Sequence, residues 1–93
     1  MKIYKYVIPI LDGEQEIQLI EGTQILSVQL QANSISERIC MWAGVPDSGP
    51  VVVRSFQVVG TGEVVTGRHR FLGTVQQGPF VWHVFEKLYR GPR

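Results

Sequence analysis

Three things are scarce in this chain: cysteine, net charge and long apolar runs. Its one cysteine, Cys40, cannot form an internal disulfide, so we expect a reducing compartment. No stretch approaches the roughly 20 apolar residues of a membrane-spanning helix, and no secretion signal is evident. We therefore expect a cytoplasmic protein, in a host cell's cytoplasm, without a membrane partner. The net charge of +1 argues against general nucleic-acid binding, which usually requires a strongly basic face.

The size and the composition are those of one folded domain over residues 1–93. Hydrophobic residues make up 44% of the chain and charged residues 18%, which is typical of a globular protein rather than a disordered segment. A domain this small is only marginally stable alone, because it buries a smaller fraction of its surface than a larger domain does. We therefore expect a homo-oligomer.

Short segments rich in β-branched and aromatic residues, separated by turn formers, predict strands. The predicted strands are Lys2–Ile10, Glu16–Ile20, Gln24–Leu30, Arg38–Ala43, Val51–Val59, Arg68–Val75 and Phe80–Leu88. The polar segment Ala32–Glu37 is predicted to be a loop with at most one helical turn. Regularly spaced short strands favour an all-β fold, either a small antiparallel sandwich or a partly open barrel.

Alternation along the predicted strands assigns side chains to faces. Ile17 and Leu19 should point inward, and Leu26, Val28 and Leu30 should share one face. The segment Gly60-Thr61-Gly62 predicts a turn. It does not match a phosphate-binding loop, because no helix follows it to supply an N-terminal dipole.

His83 is the most notable polar residue, since every neighbour in Phe80–Phe85 is apolar. Alternation places it on one face with Val81 and Phe85. Two interpretations stay open. His83 is either a core residue whose ring bonds to a backbone carbonyl or a water, or a donor at the floor of a ligand pocket.

Three arginines form the candidate anion site: Arg54, Arg68 and Arg70. Alternation around His69 sends Arg68 and Arg70 to one face, and Arg54 would join them if its strand lies nearby. Guanidinium groups bind phosphates with two hydrogen bonds, so this set could hold a nucleotide. The alternative is an exposed strand edge whose charges oppose aggregation.

Trp42 and Trp82 are either core residues or flat platforms on which a base could stack. Neither a metal site nor an enzyme is predicted. Cys40, His69 and His83 lack the paired spacing of zinc ligands, and no local motif supports a cysteine–histidine nucleophile. No cofactor is expected.

Several segments, in order along nearly the whole chain, carry a family resemblance. They are Lys2–Tyr6, Ile25–Gln29, Cys40–Ala43, Arg54–Phe56 with Gly60–Gly62, and Phe71–Thr74 with Phe80–Glu86. Together they resemble a family of small phage and prophage proteins with a domain of unknown function. The loop Val45–Pro50 departs from that pattern, in which an acidic, proline-containing segment is longer. The resemblance implies a phage origin and a compact fold, without assigned catalytic residues.

Two functions follow as hypotheses. In the first, a phage-encoded accessory protein with a counter-defence role sequesters a small nucleotide-type immune signal, using the three arginines, the two tryptophans and His83. In the second, a protein-interaction module inhibits or redirects a host protein through a sheet edge or an apolar face. The first is preferred on the sequence alone.

Overall fold

The computed structural model describes residues 1–32 and 36–88, which form seven strands and no helix. The strands are β1 (Lys2–Ile8), β2 (Glu14–Ile20), β3 (Gln24–Ala32), β4 (Glu37–Val45), β5 (Val51–Gly60), β6 (His69–Gln77) and β7 (Phe80–Lys87). All seven predicted strands are confirmed, with small shifts at their ends. β1 ends before Pro9, which has no amide hydrogen to donate. The predicted loop between Ala32 and Glu37 lies largely outside the described residues, and those two residues belong to β3 and β4.

The strands form two antiparallel sheets that pack as a sandwich. Sheet A has the order β1-β4-β3, and sheet B has the order β2-β5-β7-β6. Each hydrogen-bonded pair is antiparallel. Of the two predicted architectures, the sandwich is the one observed, and the sheets do not close into a barrel.

The core lies between the sheets and is built from the inward rows of both. Ile8 and Ile39 face each other in sheet A, and Phe56 and Val84 belong to sheet B. All four are 0% exposed. The predicted inward orientation of Leu19 is confirmed by its burial, and Ile17 packs against the same cluster.

The predicted shared face of Leu26, Val28 and Leu30 is wrong for its first member. The register between β3 and β4 shifts between Ile25 and Ser27, so Leu26 is the extra residue of a β-bulge. Val28 and Leu30 contribute to the core, whereas Leu26 is 48% exposed. Strict alternation cannot foresee an inserted residue.

The two long sides of the sandwich differ. On one side β3 and β6 approach closely, and a Cβ added at Gly73 would lie 3.4 Å from the Cβ of Val28. On the other side β1 and β2 are separated by a groove lined by Tyr4, Tyr6 and Leu19. The sandwich is therefore tightly closed along one side and open along the other.

The segment between β5 and β6 begins with the predicted turn at Gly60-Thr61-Gly62. The amide of Glu63 donates to the carbonyl of Gly60 at 3.1 Å, and Gly62 has a φ of 95°, which suits glycine. Because β5 and β6 flank β7 in sheet B, residues 61–68 must cross over β7 on its outer surface. This segment is called the crossing loop below.

Candidate functional site

Arg54 forms a buried ion pair with Glu86. Its Nε lies 2.6 Å from Oε2 and its Nη2 lies 2.8 Å from Oε1, and its Nη1 donates to the carbonyl of Thr23 at 2.5 Å. The side chains are 18% and 6% exposed. The register that opposes Phe56 to Glu86 places Arg54 and Glu86 on inward rows of adjacent strands. A bidentate pair of this kind is strong and geometrically specific.

Arg70 approaches the same carboxylate from the other neighbour of β7. It pairs with Glu86 in the register, and its Nη1 lies 4.0 Å from Oε1, while its side chain stays 61% exposed. Two guanidinium groups thus surround one carboxylate. A phosphate that used Arg54 would first have to displace Glu86.

The three arginines of the predicted anion site are only partly brought together. Arg54 and Arg70 meet through Glu86, but β5 and β6 are not neighbours. Arg68 precedes β6, so strand alternation does not apply to it, and its carbonyl accepts the amide of Leu88 at 2.9 Å. Glu86 itself was missed from the sequence. The available signal was its position two residues after Val84, on the inward row.

His83 is held by two threonine hydroxyls on the outer surface of sheet B. Nε2 lies 2.9 Å from Oγ1 of Thr61, and Nδ1 lies 3.0 Å from Oγ1 of Thr74. In a neutral imidazole one nitrogen donates and the other accepts, and a hydroxyl can serve either role. Both ring nitrogens are therefore paired with side-chain hydroxyls. This geometry favours a structural role, in which His83 ties the crossing loop to β6 and β7.

Thr61→Val should therefore loosen the crossing loop without unfolding the sandwich. We expect a loss of about 1 kcal/mol, the usual value for one net hydrogen bond. Amide exchange in residues 61–66 should speed up while exchange in β4 stays unchanged. Thr66→Val is the matched control, because Thr66 contributes its carbonyl to the fold. Equal effects of the two substitutions would contradict the role of His83.

The crossing loop covers part of the outer surface of sheet B. Lys87 is 6% exposed and donates from Nζ to the carbonyl of Thr66, and Val59 on the same surface is 4% exposed. Beside the loop, the ring of Phe85 meets His69 and Phe71 edge-on, at centroid distances of 5.1 and 5.5 Å. The crossing loop therefore shields the part of this surface around Val59 and Lys87, whereas Val53 and Phe71 stay exposed.

The two tryptophans lie on different sheets. Trp42 pairs with Lys5 and Ser27 and points outward from sheet A. Trp82 is on the inward row of β7, packs against the core and donates from Nε1 to Gln77 at 3.1 Å. The ring of Phe80 stacks on Trp82 at 5.8 Å. The tryptophans cannot bind one base between them.

The outer surface of sheet A carries several exposed apolar side chains, and it is called the sheet A face. Its outward rows comprise Ile3, Lys5, Val7, Leu26, Ser27, Gln29, Gln31, Arg38, Cys40 and Trp42. Ile3 is 61% exposed and Val7 is 42% exposed. The charges in these rows are the cations of Lys5 and Arg38, and no row member is acidic. Such a patch is typical of a binding surface.

The described part of the chain contains neither a cluster of metal-ligating side chains nor a membrane-spanning helix. Across residues 1–32 and 36–88, no three histidine, cysteine, aspartate or glutamate side chains come together as a metal site requires. Within the same ranges, no helix has the length and hydrophobicity needed to cross a bilayer.

Comparison with known proteins gives one result. A family model described as "Domain of unknown function (DUF7352)" matches residues 1–92. No curated protein and no solved structure matches the chain.

Proposed function

The chain belongs to the DUF7352 family, and we propose that it is a non-catalytic binding protein that engages another protein through the sheet A face. The observation that carries this proposal is the composition of the sheet A face. It exposes the apolar side chains of Ile3, Val7 and Leu26, and the charged members of its rows are cations. An exposed apolar patch with charge of one sign beside it suits a protein partner of opposite charge.

The charges of the sheet A face define the partner's chemistry. Lys5 and Arg38 are exposed cations near the apolar residues, and the outward row of β3 carries the neutral Gln29 and Gln31. Complementary partners would present an apolar centre with an acidic rim, because opposite charges steer association and like charges oppose it. A host protein is the proposed partner, and the phage origin implied by the resemblance belongs to the same proposal.

Nucleotide sequestration stays a prediction, and fewer of its proposed residues are available to bind a ligand. Arg54 is already paired with Glu86, and both ring nitrogens of His83 are already hydrogen-bonded to Thr61 and Thr74. The two tryptophans lie on different sheets. Arg68 and Arg70 remain exposed. These contacts are the reason for preferring the interaction function over the sequestering one. A counter-defence role is compatible with either.

The test is a charge placed on the sheet A face. Leu26→Glu should abolish capture of a host protein that the wild type enriches from bacterial lysate, and it should weaken binding of the purified partner at least about tenfold. Val64→Glu is the matched control, since Val64 is 76% exposed and lies in the crossing loop. Equal capture by both variants would overturn the proposal. Mass spectrometry of small molecules released on heating distinguishes sequestration, which would yield an intact nucleotide.

A further inference from the structure

The open side of the sandwich is a second surface without a partner, and we propose that a second copy of this chain covers it. β1 pairs only with β4, and β2 pairs only with β5, among the described strands. The two free edges flank the groove lined by Tyr4, Tyr6, Gln18, Leu19, Ile20 and Val51. Tyr4 belongs to an inward row and is nevertheless 47% exposed. Covering this side would complete the core.

The strand directions allow both edges to pair at once. Residues 9–13 join the end of β1 directly to the start of β2, so the two strands run in opposite directions. A twofold axis parallel to the strands, placed beside the groove, would set β1 of one copy next to β2 of the other in each layer. Sheet A of each copy then continues antiparallel into sheet B of its partner. Such an interface is closed, because no free β1 or β2 edge is left for a third copy.

The charges of the two edge strands favour pairing of β1 with β2 of the partner over pairing of each strand with its own copy. β1 carries Lys2 and Lys5 and no acidic residue, whereas β2 carries Glu14 and Glu16 and no basic residue. Pairing β1 with β2 brings opposite charges together in both layers. Pairing β1 with β1 would oppose lysines, and pairing β2 with β2 would oppose glutamates, which is unfavourable across a ladder.

The side chains of the groove also suit an interface. Tyr4 and Tyr6 supply large surfaces with a polar end, and tyrosine is enriched at the centres of protein interfaces. Ile20 and Val51 add apolar surface at one end of the groove. For a domain of 93 residues, burial between subunits adds to a small core.

Charge exchange between the two edges gives a decisive experiment. The wild type should sediment as a dimer at about 100 µM, a concentration well above a micromolar dissociation constant. Lys5→Glu places a glutamate on β1 opposite the glutamates of the partner's β2, and Glu16→Lys places a lysine on β2 opposite the lysines of the partner's β1. Each variant alone should therefore dimerise at least about tenfold more weakly. An equimolar mixture of the two variants should dimerise again, because each new ladder then joins opposite charges. The double variant should also recover as a homodimer.

Three outcomes would overturn this dimer. They are a monomeric wild type at that concentration, single variants that associate as the wild type does, and a mixture that stays monomeric while circular dichroism shows both variants folded. Recovery in the mixture requires β1 to face β2. Lys5 also belongs to the sheet A face, so Leu26→Glu separates the two proposals: Leu26 lies in β3, away from both paired edges, and its substitution should leave the dimer intact.

Discussion

Glu86→Gln is expected to destabilise the protein by about 3 kcal/mol, close to the usual cost of breaking one partner of a buried ion pair. The substitution keeps the volume of the side chain and removes the charge that Arg54 contacts through two hydrogen bonds. The guanidinium would then be held between the sheets without a counterion, and one of the two acceptor oxygens facing it would be replaced by an amide NH2 group, which donates. Urea unfolding followed by tryptophan fluorescence measures the loss.

Two comparisons make this expectation specific. Arg70→Gln should cost less than about 1 kcal/mol, because that side chain is 61% exposed and lies 4.0 Å from the carboxylate. Arg54→Met combined with Glu86→Leu should recover much of the loss, since apolar pairs often replace buried ion pairs without penalty. If Glu86→Gln and Arg70→Gln prove equally mild, the pair does not hold the two strands together.

The ion pair also shows why the sequence alone does not reveal the partner of Arg54. Composition placed Arg54 within an apolar strand, and guanidinium groups do suit phosphates. What the sequence does not show is which strands are neighbours, and here β7 lies between β5 and β6. That order brings Glu86 to Arg54 across 32 positions of sequence. Arg54 therefore pairs with the carboxylate of Glu86 rather than with a ligand.

More of the fold than of the candidate site could be predicted from the sequence. Strand positions depend on local composition and turns, and all seven were predicted from these signals. The prediction that Leu26 shares a face with Val28 and Leu30 was wrong, because one inserted residue moves a side chain to the other face of the sheet. The partners of His83 come from the crossing loop and β6, so they depend on the order of strands in the sheet. The sheet A face, likewise, is recognisable only once the strand order shows which outward rows lie side by side.

Phe56→Ala is expected to have the largest effect of any single substitution considered, a loss of about 3–5 kcal/mol. The phenyl ring is 0% exposed in the centre of β5 and belongs to the same cluster as Met41 and Val84. Removing it deletes apolar contacts and leaves a cavity between two sheets, where the backbone ladders limit collapse. The total free energy of unfolding of a native protein is only about 5–15 kcal/mol, so the variant should be partly unfolded at 37 °C.

The matched control is Phe71→Ala on the outer surface of sheet B. That ring is 57% exposed and contacts Phe85 edge-on, so its loss should cost about 1 kcal/mol or less. Phe56→Leu, which keeps most of the volume, should lose about 1.5 kcal/mol and remain folded. Because Phe56 lies between the sheets, this variant should bind the partner of the sheet A face as the wild type does. Equal losses from Phe56→Ala and Phe71→Ala in urea unfolding would mean that the stability does not reside between the sheets. Weakened binding by folded Phe56→Leu would mean that the surface proposed for the partner extends into the core.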